Sequence, residues 1–418
     1  MRLRLAIVIG RLVRSLARAR GGGSAIPGRI ARIIYPKLLD RTIGAIGTVV
    51  FVTGSNGKST TTGMLVAALR AHGLKVFTNP AGSNLPQGLA SAVLADVSAS
   101  GSLDADVAVL EVDEAYGPMI SAELEPDHLV VTNLQVDQLN RFGEPERVWE
   151  MIRVVSGRTH ATLTVNQRET ALVSLAHSLQ PGASLRTIDV TESVIHAHPF
   201  GLVAADIYTE PYSHDQTATL TLESVDSARA SMRDSHGSSH TVGLPGEGLH
   251  YAVDATLALS VAEHLVDQFN WERATTALSQ MPPVYGRGET VTFSGREFQL
   301  IMQKNLPSMQ VNLRGITATP ERVWVAVDEG TPDPSWLFDL DLGPIAHVDV
   351  LTGSKAWQWA TFLGYRGVSV GEVIADTKKA MVSLAAQSGS EPVTSIVNYE
   401  QMMKIRRIAG LMDLEGGS

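Results

Sequence analysis

The run Val49-Val50-Phe51-Val52-Thr53-Gly54-Ser55-Asn56-Gly57-Lys58-Ser59-Thr60-Thr61-Thr62 sets a Gly-rich turn and a Lys-Ser pair between a β-branched stretch and a helix-forming stretch, Gly63 to His72. Polyphosphate binding needs that order. Backbone N–H groups of the turn and of the first helical turn point at the phosphates, and the helix dipole favours their negative charge. Gly54, Asn56 and Gly57 would cradle the phosphates and Lys58 would reach the terminal ones. The Ser59 or Thr60 hydroxyl would sit on Mg2+. The general pattern opens with a glycine where this chain has Val52, so Thr53-Gly54 takes the turn instead.

A metal beside phosphates needs oxygen ligands. Glu111-Val112-Asp113-Glu114 follows a continuous apolar run (Asp106–Val112) and offers three carboxylates. Glu111 is the first choice, with Asp113 and Glu114 as alternatives or as substrate contacts. The same acidic residues would also serve simply to solvate a strand end. Asp137 and Gln138, after the next apolar run, stand where they would orient the metal's water shell.

The elements that position these groups alternate. Strands are expected at Thr48–Thr53, Leu74–Thr78, Asp106–Val112, His128–Asn133 and from Thr162, with helices between them. That pattern implies an α/β fold with a parallel, doubly wound sheet, in which ligands bind outside the carboxyl ends of the strands. Those ends carry Thr53-Gly54, Thr78-Asn79, Glu111–Glu114 and Thr132-Asn133. An irregular β-rich insertion is expected at about residues 198–240, and an amphipathic helix at Tyr251–Val266. Met281-Pro282-Pro283 and Gly286-Arg287-Gly288-Glu289 read as a linker. Beyond it, strands at Glu297–Met302, Arg322–Val327 and His347–Leu351, with helices at Lys355–Gly364 and Val370–Ala386, make a smaller C-terminal α/β domain. The expected division is an N-terminal helical arm at 1–41, a nucleotide-binding central domain at 42–285 and the C-terminal domain at 286–418.

Composition narrows the chemistry. With 418 residues, 44% apolar and 18% charged, the chain has the make-up of an α/β protein of two or three domains. It contains no cysteine, which excludes disulfides, thiolate zinc sites and a cysteine nucleophile. The net charge of −9 hides an asymmetry: residues 1–41 hold ten Arg/Lys against Asp40 alone, a net +9, so residues 42–418 carry −18. An acidic body gives no support to a nucleic-acid role. The basic arm fits a helix with Leu5, Ile9, Leu12 and Leu16 on one face. Interrupted by Arg11 and Arg14, it is too short to span a bilayer and does not read as a signal peptide. It would either pack on the acidic body or lie on an anionic membrane surface, which implies a cytoplasmic protein with peripheral contact at the inner face of the membrane.

Three segments, Thr53-Gly-Ser-Asn-Gly-Lys-Ser-Thr-Thr-Thr, Leu110-Glu-Val-Asp-Glu and Thr132-Asn-Leu-Gln-Val-Asp-Gln-Leu-Asn-Arg-Phe-Gly, resemble the central domain of the Mur ligase superfamily. Four more narrow the resemblance to one branch, the MurT family of lipid II isoglutaminyl synthase subunits. They are Gly21-Gly-Gly-Ser-Ala-Ile-Pro-Gly, Gly82-Ser-Asn-Leu-Pro-Gln-Gly, Asp333-Pro-Ser-Trp-Leu-Phe-Asp339 and Asn398-Tyr-Glu-Gln-Met-Met-Lys-Ile-Arg. The resemblance spans about residues 10–408 and implies a Mur-ligase-like fold. It also implies an ATP- and Mg2+-dependent ligase that phosphorylates the D-glutamate α-carboxylate of the lipid II stem peptide. Ammonia would then convert the acyl phosphate to D-isoglutamine.

In class I amidotransferases, releasing ammonia from glutamine takes a cysteine thiolate, and this chain has none. The resemblance supplies one in a GatD-like glutaminase partner, whose Cys and His an Asp of this family completes as a triad. Asp333 is the first candidate for that carboxylate and Asp339 the second.

The chain also departs from the family. MurT chains usually carry a four-cysteine zinc ribbon, whereas Phe200–Ser224 keeps Pro211-Tyr212-Ser213-His214 without any cysteine, so no zinc site is expected. Tyr251 and Asp254 stand where Mur ligases have adenine-contacting Asn residues, which makes Asp254 a candidate nucleotide contact. Gln138 replaces a His that many Mur ligases use near the metal. Two other readings stay open: an amino-acid-adding Mur or folylpolyglutamate-type ligase, and a nucleotide-binding scaffold without turnover.

Overall fold

The computed structural model describes residues 2–19, 25–79, 83–136, 143–198, 204–214, 217–282, 287–303, 305–316, 318–329, 335–389 and 391–411. The chain divides into two compact units, residues 1–135 with 144–281, and residues 136–143 with 282–418.

The first unit opens with helices α1 (Arg2–Ala19), α2 (Ala25–Ile34) and α3 (Leu38–Thr42). Within the helical arm expected over 1–41, the chain breaks between α2 and α3, because Pro36 removes a backbone donor and restricts the residue before it. Strand β1 (Val49–Thr53), helix α4 (Lys58–Ala71), β2 (Val76–Thr78), α5 (Pro86–Asp96) and β3 (Val107–Glu111) follow. Next come α6 (Gly117–Glu123), β4 (His128–Val131), α7 (Pro145–Ser156), β5 (Thr162–Asn166), α8 (Thr170–Val173), β6 (Ser184–Val190) and α9 (Glu192–Ala197). The unit closes with β7 (Leu220–Asp226), β8 (Arg229–Asp234), β9 (Ser239–Gly243), α10 (Leu249–Leu265) and α11 (Trp271–Ser279).

Its nine strands form one sheet in the order β2-β3-β1-β4-β5-β6-β7-β8-β9. Pairing is parallel from β2 to β7 and antiparallel from β7 to β9. β1 and β3 are buried at every residue, as strands covered on both faces must be. Val50 and Val52 of β1, Met64, Leu65 and Leu69 of α4, and Leu257 and Val261 of α10 share one hydrophobic core. Each such side chain taken from water contributes roughly 2 kcal/mol.

The region expected to be an irregular insertion is regular in its second half. Residues 204–214 have neither helix nor strand, but β7, β8 and β9 extend the central sheet as a meander. Leu220, Leu222, Ala230, Met232 and Val242 alternate inward and join the main core, so apolar packing holds this part.

In the second unit, β10 (Arg287–Phe293), β11 (Arg296–Met302), α12 (Leu306–Arg314), β12 (Val323–Ala326) and β13 (His347–Thr352) precede α13 (Ala356–Tyr365). Strand β14 (Ser369–Val373), α14 (Thr377–Ala386), β15 (Val393–Val397) and α15 (Tyr399–Ile408) complete it. The sheet order is β10-β11-β15-β12-β13-β14.

Two expectations are corrected here. Arg287 to Glu289 opens strand β10 rather than continuing a linker, and Glu289 pairs with Arg406 of α15. Val370–Ala386 is a strand and a helix, not one helix. Val370 and Val373 pair in parallel with Val348 and Leu351, and Asp376 then caps α14 by accepting from Lys379 N at 2.8 Å.

Candidate active site

β1 lies between β3 and β4, so the chain leaves its carboxyl end at the point where the strand order reverses. A crevice opens at such a point in a doubly wound sheet. Gly54 (φ +124°) and Gly57 (φ +82°) give the turn after β1 its shape, and α4 begins at Lys58. Both glycines are hemmed in: a Cβ at Gly54 would lie 2.4 Å from Thr132 Oγ1, and one at Gly57 2.3 Å from Asp254 Oδ1. Asp254, buried on α10, therefore stands against the Gly-rich turn.

The loop is braced by the segment after β4. Asn56 N donates to Asn133 Oδ1 at 2.9 Å, while Asn133 Nδ2 (3.0 Å) and Thr132 Oγ1 (2.6 Å) donate to Asn56 O. Asn56 Nδ2 donates to Gln135 Oε1 at 2.6 Å, and Ser55 Oγ accepts from Gln135 N at 3.0 Å. Glu169 accepts from Leu134 N at 2.9 Å. Burial pushes the Glu169 carboxyl up to about 8, only partly opposed by that bond, so it is protonated at neutral pH.

The residues after β3 meet the start of α4. Ser59 Oγ donates to Glu111 Oε2 at 2.7 Å, and Asn84 Nδ2 donates to Glu111 Oε1 at 3.0 Å. Asn79 clamps the Glu111 backbone from both sides, donating to its carbonyl at 3.0 Å and accepting from its N–H at 2.9 Å. Lys58 Nζ donates to Gly54 O at 2.5 Å and to Glu114 Oε1 at 2.9 Å. Burial works against the charge on Lys58, but Glu114 first, then Glu111 and Asp113, hold its pKa above the ordinary lysine value. The ammonium is therefore kept.

These positions bear on the expected ligands. Ser59 and Glu111, from different elements, stand together as a hydroxyl and a carboxylate. That set suits Mg2+, which takes one or two protein oxygens and leaves the rest of its shell to phosphates and water. Glu114, the candidate that stands beside Glu111 as an alternative ligand or substrate contact, pairs with Lys58. Asp113 Oδ1 accepts from Ala115 N at 3.1 Å. Thr60 Oγ1 and Thr61 Oγ1, on the first turn of α4, are buried without a hydrogen-bond partner among the described residues. Asn56 O, which Thr60 would ordinarily use one turn back, is taken by Thr132 and Asn133. A phosphate oxygen or a bound water would satisfy such an acceptor-starved hydroxyl.

Asp339 is exposed, at the end of a 3-10 turn (Ser335–Asp339) in the second unit. Asp333, Asp137 and Gln138 lie outside the described residues. Asn79, Asn84, Thr132, Asn133 and Gln135 fall in strand-end or motif strings whose residue types alone assign them no role. Polar residues just past the carboxyl ends of parallel strands were the signal that marks them.

Residues 52–177 match the Mur ligase middle domain. The subunit MurT of lipid II isoglutaminyl synthase (glutamine-hydrolyzing) from Staphylococcus aureus is 34% identical over 145 residues, 34% of this chain. That match spans 32% of the length of the staphylococcal protein. The Streptococcus pneumoniae protein of the same name is 25% identical over 373 residues, covering 83% of this chain and 82% of the relative. Among solved structures, MurF ligase from Thermotoga maritima in complex with ADP superposes with a TM-score of 0.61 at 18% identity, over 93% of this chain and 83% of that one.

Proposed function

We propose that this chain, a homologue of the MurT proteins with a Mur ligase middle domain, is the ATP-dependent synthase subunit that amidates the stem peptide of lipid II. The observation that carries the reading is the phosphate loop with Ser59 against Glu111, in a chain that holds no cysteine. The loop would equip the protein to activate a carboxylate, and the missing thiolate supports leaving a class I glutaminase step to a partner.

In the proposed reaction the γ-phosphoryl group of ATP moves to an oxygen of the D-glutamate α-carboxylate, leaving ADP. Ammonia attacks the carbonyl carbon of the acyl phosphate, inorganic phosphate departs with the C–O bond electrons, and the nitrogen loses its extra proton to solvent. Phosphoryl transfer is catalysed chiefly by positioning and charge neutralisation. The amide groups of Gly54 and Gly57 and the dipole of α4 would hold the phosphates, Asn56 would shape the loop with its own N–H engaged by Asn133 Oδ1, and Lys58 would supply fixed positive charge. Thr60 Oγ1 offers a donor with no competing acceptor. Ser59 and Glu111 would hold Mg2+, which neutralises charge on the phosphates. Asn79 and Asn84 fix Glu111, and Asp254 stands beside Gly57 where it would meet the nucleotide. In the same reading a GatD-like glutaminase binds the C-terminal domain, and Asp333, or Asp339 after it, orients the histidine of the partner's triad.

The test is amidation of lipid II by the purified chain with ATP and Mg2+, given either ammonium or glutamine plus a GatD partner. Product with ammonium alone, and with glutamine only when the partner is present, is expected. Turnover that instead depends on an added amino acid would mean an amino-acid-adding ligase. Nucleotide binding without product in any arm would mean a scaffold.

A further inference from the structure

The helix α1 docks through a face other than its apolar stripe. Ala6, Ile7 and Gly10 are turned inward, and a Cβ at Gly10 would lie 2.6 Å from Leu94 Cδ1 of α5. Arg11 fastens the helix by donating to Leu94 O at 3.1 Å and to Val97 O. Leu5, Val8, Leu12 and Leu16 recur at helical spacing on the opposite side and are 52%, 65%, 60% and 52% exposed. The neighbouring α2 repeats the arrangement. It buries Pro27, Gly28 and Ala31, and shows Ile26 and Ile33 to solvent at 57% and 71% with exposed Arg29 between them. Six large aliphatic side chains on two adjoining helices are thus left over by the fold.

Their surroundings are cationic. Arg2, Arg4, Arg29, Lys37 and Arg41 are exposed, and Asp40 is the sole acid in residues 1–41. None of the described helices is long and apolar enough to cross a membrane. An apolar stripe rimmed by arginines on a helix that does not span is the pattern of a segment lying in the interface of an anionic bilayer. A second copy of the chain fits less well. A two-fold contact would set the patch on itself and bring its exposed arginines together; Asp40 is the sole acid within residues 1–41, and Glu123, which faces them from α6, is engaged by Arg32.

We propose that the exposed faces of α1 and α2 dock this protein on an anionic lipid bilayer, with Leu5, Val8, Leu12, Leu16, Ile26 and Ile33 entering the interface and the arginine rim meeting the headgroups. The inference stands on this surface alone and does not depend on the ligase reading.

Vesicle co-sedimentation of the full chain tests it, with no nucleotide or turnover required. Phosphatidylglycerol-containing vesicles should carry the protein down, pure phosphatidylcholine vesicles should not, and raised salt should weaken the binding. Leu12→Asp/Leu16→Asp should lower the partition coefficient by roughly tenfold or more. Both sites are exposed, and an unchanged melting temperature would show the fold intact. Arg2→Gln/Arg4→Gln, which leaves the stripe in place, should shift binding to a higher phosphatidylglycerol fraction. Failure of the wild type to sediment with anionic vesicles would overturn the proposal, as would binding indifferent to both variants. A dimer seen by light scattering and broken by the Asp variant, without vesicle binding, would assign the face to a second copy instead.

Discussion

Lys58 Nζ and Glu114 Oε1 are 2.9 Å apart, and the two side chains are only 10% and 5% exposed. A buried pair of this kind is costly to break from one side, because the charge left behind has no solvent. Lys58→Met should therefore cost roughly 3 kcal/mol of stability as well as activity. The double variant Lys58→Met/Glu114→Gln should regain most of that stability in denaturant melts. It should stay inactive, down by roughly a thousandfold in ATP turnover. A single Lys58→Met protein as stable as wild type would show that Glu114 does not depend on this partner.

Glu111 reaches Ser59 through one oxygen and Asn84 through the other. If the Ser59–Glu111 pair holds Mg2+, Glu111→Gln should raise the Mg2+ concentration that half-saturates ATP hydrolysis. Asn84→Ala, which only frees the carboxylate to rotate, should raise it about tenfold. The readout is a Mg2+ titration at saturating ATP. An unaltered half-saturation in Glu111→Gln would remove this residue from the metal site.

Gly57 combines φ +82° with a Cβ position 2.3 Å from Asp254 Oδ1. Gly57→Ala therefore meets two penalties, a left-handed backbone and a steric clash, together worth about 2 kcal/mol or more. Adding Asp254→Ala relieves the clash and leaves the backbone strain, so the double variant should recover only part of the loss. Full recovery in thermal melts would show that the backbone at this position relaxes freely.

Glu169 sets a pH dependence. Its carboxyl is raised from 4.5 to about 8 in the folded chain, so its contribution to stability is fully present below about pH 4.5 and is lost as pH rises through 8. Over that window the loss amounts to several kcal/mol. Glu169→Gln, neutral at every pH, should be more stable than wild type at pH 8.5 and close to it at pH 5. Parallel urea-denaturation curves against pH for the two proteins would refute this.

How far the site could be read from the sequence follows from the reach of each interaction. The strand and the turn around Lys58 are legible because glycine freedom and β-branching are set by adjacent residues, whereas the helix expected from Gly63 already begins at Lys58. The run Val370–Ala386 reads as one helix and folds as a strand and a helix for the complementary reason. Val370 and Val373 take a strand conformation because β13 lies alongside, and that pairing leaves no mark within the segment itself. Arg287 to Glu289 reads as a linker by the same logic, and β11 makes it a strand by supplying hydrogen-bonding partners.

The sequence by itself determined that a Gly-rich turn and a Lys-Ser pair follow a buried strand, that acids follow the strand ending at Glu111, and that no thiol is available. Tertiary structure alone decided the pairings. Placing β3 and β4 on either side of β1 brings Glu111 to Ser59 and Asn133 to Asn56, and the fold sends Glu114 to Lys58 and sets Asp254 against Gly57. It also decided which face of α1 is buried, leaving Leu5, Leu12 and Leu16 outside. Local propensity acts over a few bonds along the chain. Strand order and helix docking are settled by which apolar surfaces exclude water together, and residues dozens of positions apart become neighbours only through that choice.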